Sequence, residues 1–257
     1  MYNYFYKGDD MMAEYSFIDK AIIKVDEIKK DFKSEKTLFG VLKRLTDNGK
    51  IAKLKGGLYA TVNPISKDIY VNRFEIATAL HDGAYCAYHT ALEYHGLATQ
   101  VYYDVHVVTD KRYSPMVIEG LEYQFFQSSY NEGIIETKMN SKLRVTELER
   151  TVTDCIDRIL LSGGIEEVFM ALSMINYCDE DKLLKHLSGY GKKIIYKKAG
   201  YLFSVLQPRY LTNHFYEVCK QNMSQCDEDI RENKKNSYIY SDEWKLYAPK
   251  QLMNTEN

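Results

Sequence analysis

No apolar run in this 257-residue chain approaches the ~20 residues that a membrane-spanning helix requires, which excludes an integral helical membrane protein. No secretory leader is expected either. Met1 to Tyr15 is aromatic and acidic where a leader is basic and then apolar, and it reads instead as a helix packing on the N-terminal domain. The five cysteines (Cys86, Cys155, Cys178, Cys219, Cys226) are odd in number, widely spaced and without C-x-x-C. That pattern excludes a disulfide framework and leaves reduced core thiols in a cytoplasmic protein. A bulk excess of positive charge is also lacking: the net charge is −2 and the pI near 6.3, so overall charge does not mark a nucleic-acid binder. Internal repeats are not apparent. Only Gln225 to Asn236 is polar and nearly coreless, a solvated helix end or a mobile link. The 23 tyrosines go with abundant Lys, Asn and Ile and read as coding bias, not as a stacking surface.

What is present suffices for two packed domains. Hydrophobic residues make up 45% of the chain, and its length exceeds the ~60–80 residues of one small DNA-binding module. The N-terminal quarter carries the clearest pattern. Val25, Ile28 and Phe32 fall on one face of a first helix, with Lys29, Lys30 and Lys33 pointing away. Ser34 then caps a second helix whose buried stripe is Leu38, Val41, Leu42 and Leu45. Its opposite face holds Lys36, Thr37, Gly40, Lys43 and Arg44. Asp47-Asn48-Gly49 ends that helix, and two alternating strands, 51–54 and 58–61, flank Lys55-Gly56-Gly57, where both glycines suit positive φ. This order predicts a winged helix-turn-helix over residues 1–63 with double-stranded DNA as its ligand. Lys36, Thr37, Lys43 and Arg44 then face the major groove, and Lys53 and Lys55 the flanking phosphates. Basic residues outnumber acidic ones between Lys20 and Lys55, where phosphate neutralisation would need them. The plain alternative is a lysine-rich solvated surface.

Val62 to Lys67 reads as the interdomain joint, because Pro64 stops the strand. The second domain, 64–257, opens with helices at Arg73–Leu80 and His89–Tyr94. Strands follow at Tyr102–Thr109, Leu121–Gln127 and Ile134–Lys138, with a short one at Leu143–Val145. From Glu147 helices dominate: Glu147–Ile159, Ile165–Ile175, Glu180–Leu187, Lys192–Leu206 and Thr212–Asn222. A last strand, Trp244–Ala248, is expected to return to the sheet. Strands followed by a run of helices predict a mixed α+β domain rather than a doubly wound one.

The segments Gly57-Leu58-Tyr59, 86–97 (CAYHTALEYHGL), Val105–Thr109 and 144–154 (RVTELERTVTD) stand in an order that resembles the AbiEi family of antitoxins. The likeness continues through Gly163–Glu167 and Ala199–Leu202 to Trp244-Lys245-Leu246, covering 18–249. Its more specific parts are the Glu-Arg-Thr-x-x-Asp helix and the helix ending His-Gly-Leu. The resemblance implies an autorepressor that binds operator repeats and counters an AbiEii-like nucleotidyltransferase toxin encoded beside it, without a tight complex, with the larger domain linked to antitoxicity and to dimeric binding on DNA. Lys55 stands where members of the family often carry arginine.

No catalytic residue, metal ligand or cofactor is expected. Glu149, Arg150, Asp154 and Asp157 fall near one another at helical spacing and read as an ion-pair network anchoring helix to sheet. His89 and His95 are six apart, not the i, i+4 spacing of paired ligands on one helical face. A nuclease-like layout, Asp104 or Asp110 with Glu136-Thr137-Lys138, is the enzymatic alternative, but the pattern is short and degenerate and the plainer reading is surface strands whose Glu136 and Lys138 face solvent. A nucleotidyltransferase signature is absent, and Gly163-Gly164 reads as the loop opening the next helix. The expected protein is a cytoplasmic, non-enzymatic autorepressor and antitoxin, the alternative being an orphan regulator with no toxin partner.

Overall fold

The computed structural model describes residues 17–226, 228–229, 238–250 and 252. The expected helix within Met1–Tyr15 and most of the polar stretch 225–236 lie outside them. The architecture is mixed α+β, and the chain divides into two compact units, 1–84 with 136–144, and 85–135 with 145–257. No helix among the described residues is long and apolar enough to cross a membrane.

In the first unit, β1 (Ile22–Lys24) leads into a four-residue helix α1 (Val25–Ile28) and a 3-10 turn (Lys29–Asp31). Helix α2 (Glu35–Asp47) follows, then β2 (Ile51–Lys55) and β3 (Leu58–Thr61). The strands form one antiparallel sheet in the order β1-β3-β2. The first helix is shorter than its periodicity predicts. Only Ile28 of the three stripe residues is fully buried, and Phe32 is already extended. The α2 stripe of Leu38, Val41, Leu42 and Leu45 is buried against Phe17, Ile23, Ile28 and Tyr59.

Helix α3 (Arg73–Leu80) starts with a capping box in which Asn72 accepts from the backbone of Phe74 and Glu75 while Glu75 accepts from Asn72 N. Its buried face also grips 139–144. Glu75 Oε1 accepts from Ser141 N, Thr78 Oγ1 accepts from Arg144 N at 3.0 Å, and Arg144 Nη1 donates to the Gly83 carbonyl at 2.5 Å. These bonds put the unit boundary after Ala84 and draw 136–144 into the first unit, unlike the division at 63/64 read from the sequence. Val62–Lys67 is no linker. It is a turn in which the Asn63 side chain accepts from Ile65 N and Ser66 N, with Val62 bridged to Ile69.

The six-stranded sheet has the order β6-β7-β5-β4-β9-β8, from β4 (Tyr85–Cys86), β5 (Asp104–Val108), β6 (Met116–Ile118), β7 (Leu121–Phe126), β8 (Ile134–Lys138) and β9 (Lys142–Thr146). β5 pairs parallel with β7 and antiparallel with β4. In the second unit the helices are α4 (Tyr88–Tyr94), α5 (Leu148–Asp157), α6 (Ile165–Ser173), α7 (Glu180–Gly189), α8 (Lys193–Leu206) and α9 (Asn213–Asn222). Their apolar faces meet in one core that includes Val152, Ile156, Phe169, Leu187, Leu202 and Phe215. The last expected strand does not rejoin this sheet. β12 (Leu246–Pro249) pairs with β10 (Glu228–Asp229) and β11 (Tyr238–Ser241) in a separate three-stranded sheet, and Trp244 lies in the preceding turn.

Arg150 is fully buried and takes a partner at every side. Its Nε donates to Asp154 Oδ1 at 3.0 Å, Nη1 to the Glu132 carbonyl at 2.9 Å, and Nη2 to Ser128 Oγ at 3.2 Å and the Tyr130 carbonyl at 2.9 Å. The guanidinium also lies 4.5 Å from the Tyr130 ring centre and 5.1 Å from that of Tyr190. The expected network is therefore narrower than the spacing suggested. Glu149 accepts from Asp179 N instead, and Asp157 pairs with Lys192. Beside it, Tyr130 Oη lies 2.9 Å from His186 Nδ1, whose Nε2 lies 2.9 Å from Glu147 Oε1.

Trp244 is buried over Gly200, and its Nε1 donates to Ser204 Oγ at 3.1 Å. A Cβ at Gly200 would fall inside the van der Waals shell of the indole ring. Gly200→Ala is expected to cost ~1–3 kcal/mol by overpacking, despite the better helix propensity of alanine. Thermal unfolding should show a midpoint several degrees lower; an unchanged or raised midpoint would refute this packing.

Candidate nucleic-acid interface

Helix α2 owes its start to Ser34, whose Oγ accepts from Thr37 N at 3.2 Å and lies 3.0 Å from Thr37 Oγ1. Burial of the Leu38, Val41, Leu42 and Leu45 stripe turns the opposite face to solvent. Lys36, Phe39, Gly40 and Lys43 are exposed there, one and two turns apart along about 10 Å of helix. Nothing would lie within 4 Å of a Cβ at Gly40, so the middle of this face is flat and open. Lys36, Lys43 and Lys53 have no ion-pair partner among the described residues. Lys20, Lys24 and Lys29 instead face Glu27, Asp82 and Asp26 at 3.3–3.4 Å.

The six residues predicted for DNA contact thus divide. Lys36 and Lys43 stand exposed on one face of α2, and Lys53 is exposed on β2. Thr37 is half-buried and takes part in the helix cap. Arg44 is half-buried and engaged within the fold. Lys55 is placed differently from the expectation. Its ammonium donates to the carbonyl of Leu80, the last residue of α3, where a cation suits the negative helix end. Burial, with Lys24 nearby, pulls its pKa below the ordinary lysine value. The hairpin differs as well. Gly57 has φ +75 but Gly56 does not take positive φ, and the register shifts between Lys53 and Lys55, so the turn includes a bulge.

Phe39 is the residue that sequence reasoning missed. Half of its surface is exposed, although an aromatic side chain on a core-packed helix is ordinarily turned inward. The signal was its position off the apolar stripe.

The other candidate clusters resolve into structural contacts. His95 Nε2 lies 2.8 Å from the Thr146 carbonyl, whereas the His89 ring packs tilted against that of Tyr102 and sits 3.4 Å from Glu167 Oε1. Glu136 is ion-paired with Lys142 at 2.7 Å and approaches Arg144 at 3.9 Å; Lys138 and Asp110 are exposed. Among the described residues no group of three His, Cys, Asp or Glu could hold a metal ion. Burial raises the thiol pKa values of Cys86, Cys155, Cys178 and Cys219, leaving inert thiols, while Cys226 is exposed.

No family model matches the sequence, and no curated protein matches it significantly. The fold is similar to that in the crystal structure of the RV2827C protein from Mycobacterium tuberculosis. The TM-score is 0.66 at 11% identity, over 94% of this chain and 91% of that one. The likeness at this identity shows the fold alone.

Lys53 and Lys55 separate surface charge from structural charge. Lys53→Ala is expected to leave stability unchanged and to flatten the salt dependence of duplex binding by ~0.9 in slope for one lost phosphate contact. Lys55→Ala should leave that slope unchanged and lower stability by about 1–2 kcal/mol, since the Leu80 carbonyl loses a charged donor. Anisotropy titrations in a salt series with thermal melts check both, and interchanged outcomes would refute the assignment.

Proposed function

We propose that the first unit is a winged helix-turn-helix that binds double-stranded DNA, and that the chain is a cytoplasmic, AbiEi-like autorepressor and antitoxin. The observation that carries the DNA-binding part is the outer face of α2. Among the described residues it is the longest helix of the unit, placed between β1 and β2 of a β1-β3-β2 sheet, and its solvent side holds two lysines, an exposed aromatic ring and a glycine. A helix of this length fits the major groove. In it the ammonium groups of Lys36 and Lys43 meet phosphates or guanine edges. Phe39 supplies an apolar contact of the kind that reads a thymine methyl, and Gly40 lets the helix axis approach closely. The exposed Lys53 adds a phosphate contact from the hairpin. The antitoxin part rests on the sequence resemblance, whose Glu-Arg-Thr-x-x-Asp segment forms the helix that carries Arg150. A nucleotidyltransferase-like toxin encoded nearby is then the functional partner, countered without a tight complex, and dimeric binding on operator repeats goes with this reading.

The test is a mobility-shift titration of the full chain on the DNA upstream of its own gene against a scrambled duplex. Tighter binding to the upstream duplex is expected, with Lys36→Ala and Lys43→Ala each costing about 1–3 kcal/mol there if they read base edges. Co-expression with the adjacent toxin gene should restore growth. Equal affinity for both duplexes, unaltered by either substitution, would overturn the DNA-binding reading; failure to restore growth would overturn the antitoxin reading.

A further inference from the structure

The second unit contains a cleft of about 390 Å³ whose walls include Tyr88, Ser128, Asp157, Arg158, Tyr190 and Lys192. We propose that this cleft binds a small organic phosphate monoester.

Charge comes first. Lys192 Nζ donates to both carboxylate oxygens of Asp157, at 2.8 and 2.7 Å, and Arg158 Nε stands 3.8 Å from the same group. One carboxylate cannot neutralise two cations, so the cleft is electropositive. The Arg158 side chain is half exposed, and its guanidinium makes no hydrogen bond to the described residues, which leaves its planar fork of donors for an oxyanion. Its position follows from the break after α5, where Arg158 leaves helical geometry at φ −118, ψ 61.

The walls are rigid. Ser128 Oγ accepts from the buried Arg150, and Tyr190 donates its hydroxyl to Asp154 Oδ1, so hydroxyl and ring are fixed by the network beneath the cleft. Asp154 Oδ2 is buried there with no hydrogen-bond partner. Tyr88 supplies an independent signal. It is buried yet has φ +55, a left-handed backbone that bulky residues rarely adopt, and its ring is held edge-on against Phe126 at 5.7 Å. Strain of this kind persists where the surroundings over-determine it, and it concentrates at ligand sites.

The ligand class follows from the donors. Two cations, one of them a planar fork of donors, match the several acceptor oxygens of a phosphate monoester dianion. The cleft is larger than a bare phosphate, so an organic remainder lies beside the rings of Tyr88 and Tyr190. Asp157 opposes an anion, and binding transfers Lys192 from Asp157 to the ligand.

Calorimetry and thermal shift on the full chain, with inorganic phosphate, glucose 6-phosphate, AMP and citrate as probes, test the site. At least one of the two esters should bind and raise the melting temperature, more tightly than citrate. Arg158→Gln and Lys192→Gln should each weaken it about tenfold or more, and Lys193→Gln, on the exposed neighbour, should not. Asp157→Asn should tighten binding by removing the competing carboxylate, an effect that a merely structural carboxylate would not produce. The proposal is overturned if neither ester binds up to about 10 mM, if citrate binds as well as the esters, or if binding survives Arg158→Gln or Lys192→Gln in folded protein.

Discussion

A guanidinium removed completely from water is the constraint around which the second unit is organised. An uncompensated buried charge costs several kcal/mol, so Arg150 is tolerable only with its hydrogen bonds made. It finds them in Asp154, one helical turn away, and in the segment 128–132, whose carbonyls and Ser128 hydroxyl converge on it from outside the helix. The aromatic rings of Tyr130 and Tyr190 close over the cation. Gly133 has no side chain for the same reason, since a Cβ there would stand 2.9 Å from Arg150 Cβ and 2.6 Å from His186 Cε1. One charge thereby fixes α5, the loop leading to β8, and the residue after α7. Those are also the elements that shape the cleft beside Asp157 and Arg158.

The first unit obeys a different constraint. Its sheet of three short strands packs against α2, and the α2 stripe forms one buried cluster with Phe17, Ile23, Ile28, Ile51 and Tyr59. All the apolar surface of α2 except Phe39 is consumed in that packing. What faces solvent is therefore polar and flat apart from Phe39, with Lys36 and Lys43 between the terminal Glu35 and Asp47, and the hairpin contributes one exposed lysine while the other is used to finish α3.

Most of the helical part was legible in the sequence, because 3.6-residue periodicity and terminal residues act locally. Asn72, Asp179 and Thr212 cap their helices with side-chain hydrogen bonds, and the apolar stripes of α5 to α9 stand within a residue or two of their expected limits. The short strands were not legible. β1, β4 and β6 have two or three residues each, too few to show alternation. Nor could local pattern show that β12 belongs to a sheet of its own, since strand pairing is a long-range choice. The candidate interface divides similarly. Lys36 and Lys43 followed from helical spacing, whereas the engagement of Lys55 depends on Leu80, 25 residues away, about which the hairpin sequence carries no information. Phe39 was readable in principle as an aromatic residue off the stripe, yet only the packed core shows that half of its surface stays exposed.

The outer face of α2 is proposed to lie against DNA. Amide hydrogen exchange of the full chain, free and saturated with the duplex from upstream of its own gene, tests it most directly. The account predicts slowed exchange across 34–44 and at the hairpin near Lys53 when the duplex is bound. Protection confined to other segments, with 34–44 exchanging as in the free protein while the DNA is demonstrably bound, would contradict it.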